Sequence, residues 1–371
     1  MGNTVLKAES LAVGYGKKVV VDDLEIEVRP GEVLTIIGPN GAGKTTILKS
    51  ISAQLPAISG SITVGSSNLA DMSLRDISKT MAVCFTGRTD LERMTCEDVV
   101  SSGRYPYTGR LGLLSEEDRR IVRQAMELTG ISALCDTDVN CISDGQRQTV
   151  MLARAVAQQP RVLILDEPSS FLDINNKLRL LSLLRELAKS RSIAVVQTLH
   201  ELDLAQRFSD KILCVKDNKA QRIGAPEEIF CGDYISRLYG ISYGTFLPGF
   251  GVAEAQKPDG QPQVFVIGGG GSGISTYRRL QRQGIPFAAG VLHENDVEYP
   301  VAKSLAAELI TEKAFEPISE ESMARAREIM KKCSEVICCI EVFGSMNKGN
   351  RKLLEEYNIR HLEQKKEPEI L

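Results

Sequence analysis

Tryptophan is absent from this chain, and histidine occurs only three times in 371 residues, so each imidazole has to be weighed singly. The nine cysteines are scattered and form no C-x-x-C pair. They read as reduced thiols of a cytosolic protein, which excludes a disulfide framework and a cysteine-based zinc site. No apolar run approaches the roughly 18 residues needed to span a bilayer. The first residues, Met1-Gly2-Asn3-Thr4-Val5-Leu6-Lys7, hold no apolar leader region. A basic excess is also missing: 45 Lys and Arg face 48 Asp and Glu, for a net charge of −3. Nothing would recruit a phosphate backbone, so nucleic acid is not expected as a partner. What is present, 43% hydrophobic and 25% charged residues, is the balance of ordinary globular domains. The length suits two of them.

The most informative segment is Gly38-Pro39-Asn40-Gly41-Ala42-Gly43-Lys44-Thr45-Thr46, of the pattern G-x-x-x-x-G-K-[ST]. Val33 to Ile37 before it reads as a buried strand, and Ile47 to Ile51 after it as the first turns of a helix. That context is what a phosphate-binding loop requires. Glycines let backbone N–H groups converge on phosphate oxygens, and the helix N-terminus adds a positive dipole. Lys44 would reach the β- and γ-phosphates, and Thr45 would offer a hydroxyl to Mg²⁺.

Residues 1 to 247 read as one α/β unit. Strands are expected at Val19–Val21, Leu24–Val28, Ile62–Val64, Met81–Phe85, Val162–Leu165 and Ile193–Val196. Between residues 97 and 160 the pattern turns helical and charged. Val162-Leu163-Ile164-Leu165-Asp166-Glu167 is an apolar strand ending in two carboxylates. Adjacent buried acids need a cation: Asp166 would hold Mg²⁺, and Glu167 would accept a proton from an attacking water.

Ile142-Ser143-Asp144-Gly145-Gln146-Arg147-Gln148 then opens a helix from Val150 to Gln158. The combination resembles the ATP-binding cassette (ABC) ATPases, whose signature is usually L-S-G-G-Q. The resemblance covers residues 5 to about 232, on five motifs in the family's order. It implies a P-loop NTPase cassette with a RecA-like core and a helical subdomain. ATP and Mg²⁺ would sit between two head-to-tail copies. Gly38, Asn40, Gly41, Gly43, Lys44, Thr45 and Thr46 would surround the phosphates. Ser143, Gly145 and Gln146 would face the γ-phosphate bound by the second copy. Tyr15 matches the aromatic that stacks on adenine. Ser170-Phe171-Leu172-Asp173 matches the loop after the catalytic Glu that crosses the dimer interface. His200 matches the switch histidine that contacts the γ-phosphate.

Two positions depart from the family pattern. Thr86 stands where a longer Gln usually senses the metal, and Asp144 replaces the first signature Gly. Ser102 to Tyr107, Leu114 to Arg120 and His200 to Ala205 look like the importers of iron chelates, haem and cobalamin. The resemblance implies a peripheral motor on the cytoplasmic face of the membrane. Its partners would be a two-copy permease and, indirectly, an extracytoplasmic binding protein. The competing readings are a soluble non-transport cassette ATPase and a nucleotide-sensing regulatory protein. The first would need duplicated cassettes or coiled-coil inserts, and the second the loss of Glu167 or Lys44.

Residues 248–262, rich in Pro, Gly and polar residues, read as a linker. Residues 263–371 read as a small Rossmann-like parallel α/β domain. Its strands are expected at Val264–Ile267, Phe287–Leu292 and Val336–Ile340, with helices up to Arg282, at Val301–Leu309 and at Glu320–Lys332. Gly268, Gly270 and Gly273 fit a dinucleotide fingerprint, and Glu294 would bind a ribose. A nucleotide or dinucleotide is therefore expected there. No nucleophile–base pair is legible, which favours a regulatory or docking module over a second enzyme.

Overall fold

The computed structural model describes residues 4–85, 93–109, 111–170 and 172–364. The chain forms two compact units, Met1–Tyr239 and Gly240–Leu371.

In the first unit the strands are β1 (Leu6–Tyr15), β2 (Lys18–Val28), β3 (Val33–Ile37), β4 (Ser59–Val64), β5 (Ser67–Asn68), β6 (Met81–Cys84), β7 (Val162–Leu165), β8 (Ala194–Thr198), β9 (Lys211–Lys216) and β10 (Lys219–Gly224). They make one ten-stranded sheet in the order β5-β4-β1-β2-β10-β9-β3-β8-β7-β6. From β9 to β6 the pairing is parallel. Every residue of β3, β7 and β8 is buried. A parallel strand covered on both faces has no solvent side, so it reads as an unbroken apolar run. The β1–β2 and β1–β4 pairs are antiparallel. Leu6, Leu11, Leu34, Ile36, Ile47 and Val196 are among the fully buried residues of the shared core.

Residues between β6 and β7 form the helical part: Cys96–Ser101, Glu116–Thr129 and Asp144–Ala157. Each starts at a capping box, with Thr95, Ser115 and Ser143 as the capping residues. Arg104 ties these pieces together. It is 4% exposed, and it donates to Asp118 Oδ1 at 2.8 Å and to Ala157 O at 2.8 Å. Its guanidinium also lies 3.9 Å from the centre of the Tyr107 ring.

The second unit has a hairpin, β11 (Thr245–Leu247) with β12 (Val252–Glu254). A four-stranded parallel sheet follows, of β13 (Val264–Ile267), β14 (Phe287–His293), β15 (Glu308–Glu312) and β16 (Glu335–Cys338). Their order is β15-β14-β13-β16. Two expectations change here. Residues 240–254 belong to the second unit, because Leu247 joins its core and the buried Glu254 pairs with Arg278. The expected helix Val301–Leu309 is shorter, Tyr299–Leu305. Ala306 is extended, and Glu308–Glu312 is a strand paired with β14.

Candidate functional site

The ends of β3, β7 and β8 converge at one edge of the first sheet, where open α/β sheets place their ligands. β3 runs into the glycine loop, and the helix Lys44–Ile51 starts at Gly43. Gly43 has φ +101°, and a Cβ there would come within 2.5 Å of Val21 Cγ2. No L side chain fits that turn. Gly38 N donates to the Tyr239 hydroxyl at 3.0 Å, which fixes the entry of the loop. Burial pushes the Tyr239 hydroxyl up to about 12, against the pull of that bond. Lys44 is buried and curls over the loop, donating to Gly38 O at 2.7 Å and Pro39 O at 3.1 Å. Burial lowers its pKa, while the nearby Glu167 and Asp166 charges oppose the shift.

β7 delivers Asp166 and Glu167. Asp166 accepts from Thr45 Oγ1 at 2.9 Å and from Thr198 Oγ1 at 2.6 Å. The same Thr198 oxygen accepts from Glu167 N at 2.8 Å. Glu167 takes a left-handed backbone, φ +50°, which is costly for a residue with a side chain. Its Oε1 meets His200 Nε2, and its Oε2 accepts from Ser170 Oγ at 3.0 Å. His200 Nε2 therefore carries the proton shared with this carboxylate. The neighbouring Glu201 accepts from Ser169 Oγ at 3.1 Å and from Lys177 Nζ at 2.5 Å. These bonds clamp residues 167–170 to residues 198–201.

The structure thus brings Lys44, Thr45, Asp166, Glu167 and His200 together. Thr46 is buried in the first turn of the helix, and Asn40 and Gly41 lie in the loop before it. Thr198, Lys177 and Tyr239 were not foreseen, while Ser170 and Glu201 were expected only as members of their motif segments, without these contacts. Of the three, only Thr198 left a sequence trace, since a polar residue ends the buried strand β8.

Tyr15 is 51% exposed at the end of β1, so it is not a core residue. Ser143 is exposed and caps its own helix, exchanging hydrogen bonds with Gln146. Asp144 is exposed in the first turn of that helix, where the dipole favours a carboxylate. Gly145 is confined, because a Cβ would come within 2.9 Å of Leu172 Cδ2. Asp173 is also exposed and caps the helix Ile174–Arg191 through Asn176 N at 2.8 Å. Thr86 lies outside the described residues.

The model of the ABC transporter family matches residues 21–170. A relative from Methanocaldococcus jannaschii, the uncharacterized ABC transporter ATP-binding protein MJ0873, is 40% identical over 289 residues. That alignment covers 78% of this chain and the whole of the relative. The chain belongs to the ABC transporter ATP-binding proteins. The cobalamin import ATP-binding protein BtuD of Halobacterium salinarum is 31% identical, over 90% of this chain and 85% of its own. The iron(3+)-hydroxamate import ATP-binding protein FhuC of Bacillus subtilis is 36% identical, over 64% and 88%. Among solved structures, cbiO1 of Clostridium perfringens, part of the ABC transporter complex cbiONQ, is similar with a TM-score of 0.55. It is 27% identical, over 63% of this chain and 94% of that one. The second unit matches a different model, the MJ0874 family, at residues 287–367.

As an ABC ATPase the chain binds ATP with Mg²⁺ and hydrolyses it. The residues fit that ligand pair. The loop presents backbone donors at a helix start, and Thr45 and Asp166 offer hard oxygen ligands.

The glycine turn of the second unit differs from its expectation. Gly273 N donates to Glu298 Oε2 at 2.7 Å, and Gly270 N donates to Asp296 Oδ2 at 2.8 Å. Glu298 is fully buried, and its Oε1 accepts from Tyr277 Oη at 2.7 Å. Burial pushes the Glu298 carboxyl up, opposed by the bonds from Tyr277 and Gly273. A Cβ on Gly268 would come within 2.0 Å of Glu298 Oε1. The glycines make room for a carboxylate of the protein itself. Two donors that a phosphate would need are already taken. Glu294 is exposed and continues the β14–β15 ladder through its N to Glu312 O, 3.0 Å.

Proposed function

We propose that this chain is the ATP-hydrolysing subunit of an importer for a metal chelate of the iron-siderophore, haem or cobalamin class. The observation that carries the chemistry is the Thr45–Asp166–Thr198 oxygen cluster beside the Glu167–His200 pair. The relatives named for cobalamin and iron(3+)-hydroxamate import support the cargo class.

In this reading Lys44 leaves its loop carbonyls to hold the β- and γ-phosphates. Thr45 and Asp166 hold Mg²⁺, which when bound neutralises charge on the phosphates. Glu167 accepts the proton of the attacking water, and His200 orients that carboxylate and contacts the γ-phosphate. Thr198 locks the acids in register. Ser143, Gly145, Gln146 and Asp173 meet a second copy. The subunit works at the cytoplasmic face of the membrane, under a two-copy permease that receives cargo from an extracytoplasmic binding protein. Among the described residues no helix is long and apolar enough to cross a membrane. The second unit is assigned a regulatory role, without a nucleotide at Gly268 to Gly273.

The permease would dock on the helical part. Arg75 bonds Pro106 O at 2.9 Å and Thr108 O at 3.1 Å, joining two segments that carry exposed Leu74 and Tyr105. Leu111 and Leu113 are exposed just beyond. In this reading these exposed apolar side chains supply the contact surface. The double change Leu111→Asp and Leu113→Asp should leave basal ATPase activity intact. It should weaken stimulation by the permease about tenfold or more. Unchanged stimulation would move the docking surface elsewhere.

Tyr15→Ala should weaken ATP binding by about 1–3 kcal/mol, as loss of base–aromatic stacking does elsewhere. Tyr15→Phe should be nearly neutral, since the exposed ring has no buried hydroxyl bond to lose. A large loss in the Phe variant would remove the stacking role.

The overall reading is tested by co-purification with a polytopic membrane protein and by ATPase stimulation in that complex. A chain that hydrolyses ATP but binds no such protein would be a soluble ATPase.

A further inference from the structure

The four parallel strands of the second unit end at a crevice of about 330 Å³. His293, Asn295, Asp296, Val297, Phe315 and Met346 line it, together with Gly270 of the glycine turn. The size falls within the range of small-molecule sites, and the place is where open α/β sheets bind ligands.

We propose that this crevice binds a small organic cation, an amine or amidine carried on a flat apolar body. In dinucleotide-binding proteins the glycine turn supplies free N–H donors, which select an anion. Here Gly270 N is bonded to Asp296 Oδ2, and Gly273 N to the buried Glu298. Asp296 Oδ1 also accepts from Glu298 N at 3.0 Å. Each Asp296 oxygen keeps a further lone pair, because a carboxylate accepts about four bonds. The turn has thus been converted from a donor site into an acceptor site.

The imidazole beside it has the same polarity. His293 Nε2 lies 2.8 Å from Glu316 O, a pure acceptor, so Nε2 carries the proton. In the neutral ring Nδ1 is then left as an acceptor. Asp296 and His293 together call for a ligand that donates. Val297 and Phe315 add apolar surface that is 50% and 80% exposed, and Met346 adds a polarisable thioether. An aromatic face next to a carboxylate suits a cation with a flat body.

The site lies entirely in the second unit and does not depend on the transport reading. It is tested on the full-length protein by calorimetry with a matched pair of probes, benzamidine and benzoate, and with inorganic phosphate. Benzamidine should bind with a dissociation constant of about a millimolar, as befits so small a ligand. Benzoate has the same shape and the opposite charge, and it should give no binding. Asp296→Asn should weaken benzamidine about tenfold or more by removing the charge. Because Asp296 also caps the turn, Phe315→Ala is the second variant. It changes only an exposed ring and should weaken benzamidine about two- to fivefold. Three results would overturn the proposal. One is silence from benzamidine. Another is benzamidine binding that Phe315→Ala leaves unchanged. The third is benzoate or phosphate binding that Phe315→Ala weakens, which would return the crevice to the anions. Phosphate heat unaffected by that variant belongs to the loop at Lys44, and it leaves the cation site standing on the benzamidine result.

Discussion

Glu167→Gln is expected to lower ATP turnover by about 10²–10⁴-fold while ATP affinity stays near its wild-type value. The amide is nearly isosteric with the carboxylate, so the backbone bond from Glu167 N to Thr198 Oγ1 is untouched. The left-handed turn at this residue is held by the backbone, and Gln adopts it at the same cost. Asp166, Thr45 and Lys44 keep their contacts, and these are the groups assigned to Mg²⁺ and the phosphates. What disappears is a group able to take a proton from water. His200 Nε2–H, which meets Glu167 Oε1, would also lose the charge that orients it. The measurements are steady-state ATPase rate and nucleotide affinity on the same preparation. Near-normal turnover would place the base elsewhere. A parallel loss of affinity would show that the carboxylate also shapes the binding pocket.

Strands β3, β7 and β8 of the cassette were readable because burial left them no choice of residue, whereas β9, which is just as apolar at its centre, was not expected. Val33–Ile37 and Val162–Leu165 lie in a parallel sheet covered on both faces, so they appear as plain apolar runs. β1 was not expected. Its alternation is broken by register shifts between Ala8 and Leu11 and again before Gly14, with Ser10 at φ +46°. A bulge moves side chains to the wrong face, and a period of two then fails. β10, Lys-Ala-Gln-Arg-Ile-Gly, has no residue that is fully buried, and its pairing with β9 and β2 is decided by the fold. β15 was hidden in the same way, as Leu309 and Ile310 are too short a run to separate from the preceding helix.

The site divides along a similar line. Residues that belong to contiguous motifs were legible: Lys44, Thr45, Asp166, Glu167 and His200. Those that complete it through distant contacts were not. Thr198 meets Asp166 across neighbouring strands, Tyr239 reaches Gly38 from the end of the unit, and Lys177 supports Glu201. The glycine turn of the second unit shows the limit most directly. Its spacing fits a phosphate site, yet the decisive fact is the position of Glu298, which no local pattern reveals.

Arg104→Met is expected to destabilise the cassette by about 3–5 kcal/mol, the usual cost of removing one partner from a buried ion pair. Both side chains of the Arg104–Asp118 pair are nearly buried, 5% and 10% exposed. Met fills similar volume but leaves the Asp118 charge facing a low-dielectric interior with Ser115 as its main remaining partner. It also frees Ala157 O, so the end of the Asp144–Ala157 helix loses an anchor. That helix begins at Ser143, and the effect should therefore reach the surface assigned to the second copy. The loss has a pH signature. Burial pushes the Asp118 carboxyl up, but the hydrogen bonds from Ser115 and Arg104 outweigh it and hold the folded-state value below the usual range. A depressed carboxylate adds stability above its unfolded value, near 3.9, and that contribution is lost as pH falls through the folded one. The gap between wild type and Arg104→Met should be full near neutral pH and should close as Asp118 becomes protonated. Urea unfolding at several pH values measures the gap, and hydrogen exchange along Asp144–Ala157 reports whether the helix has loosened. A gap under about 1 kcal/mol at neutral pH, the worth of an exposed pair, would show that the buried pair gives no more than a surface one.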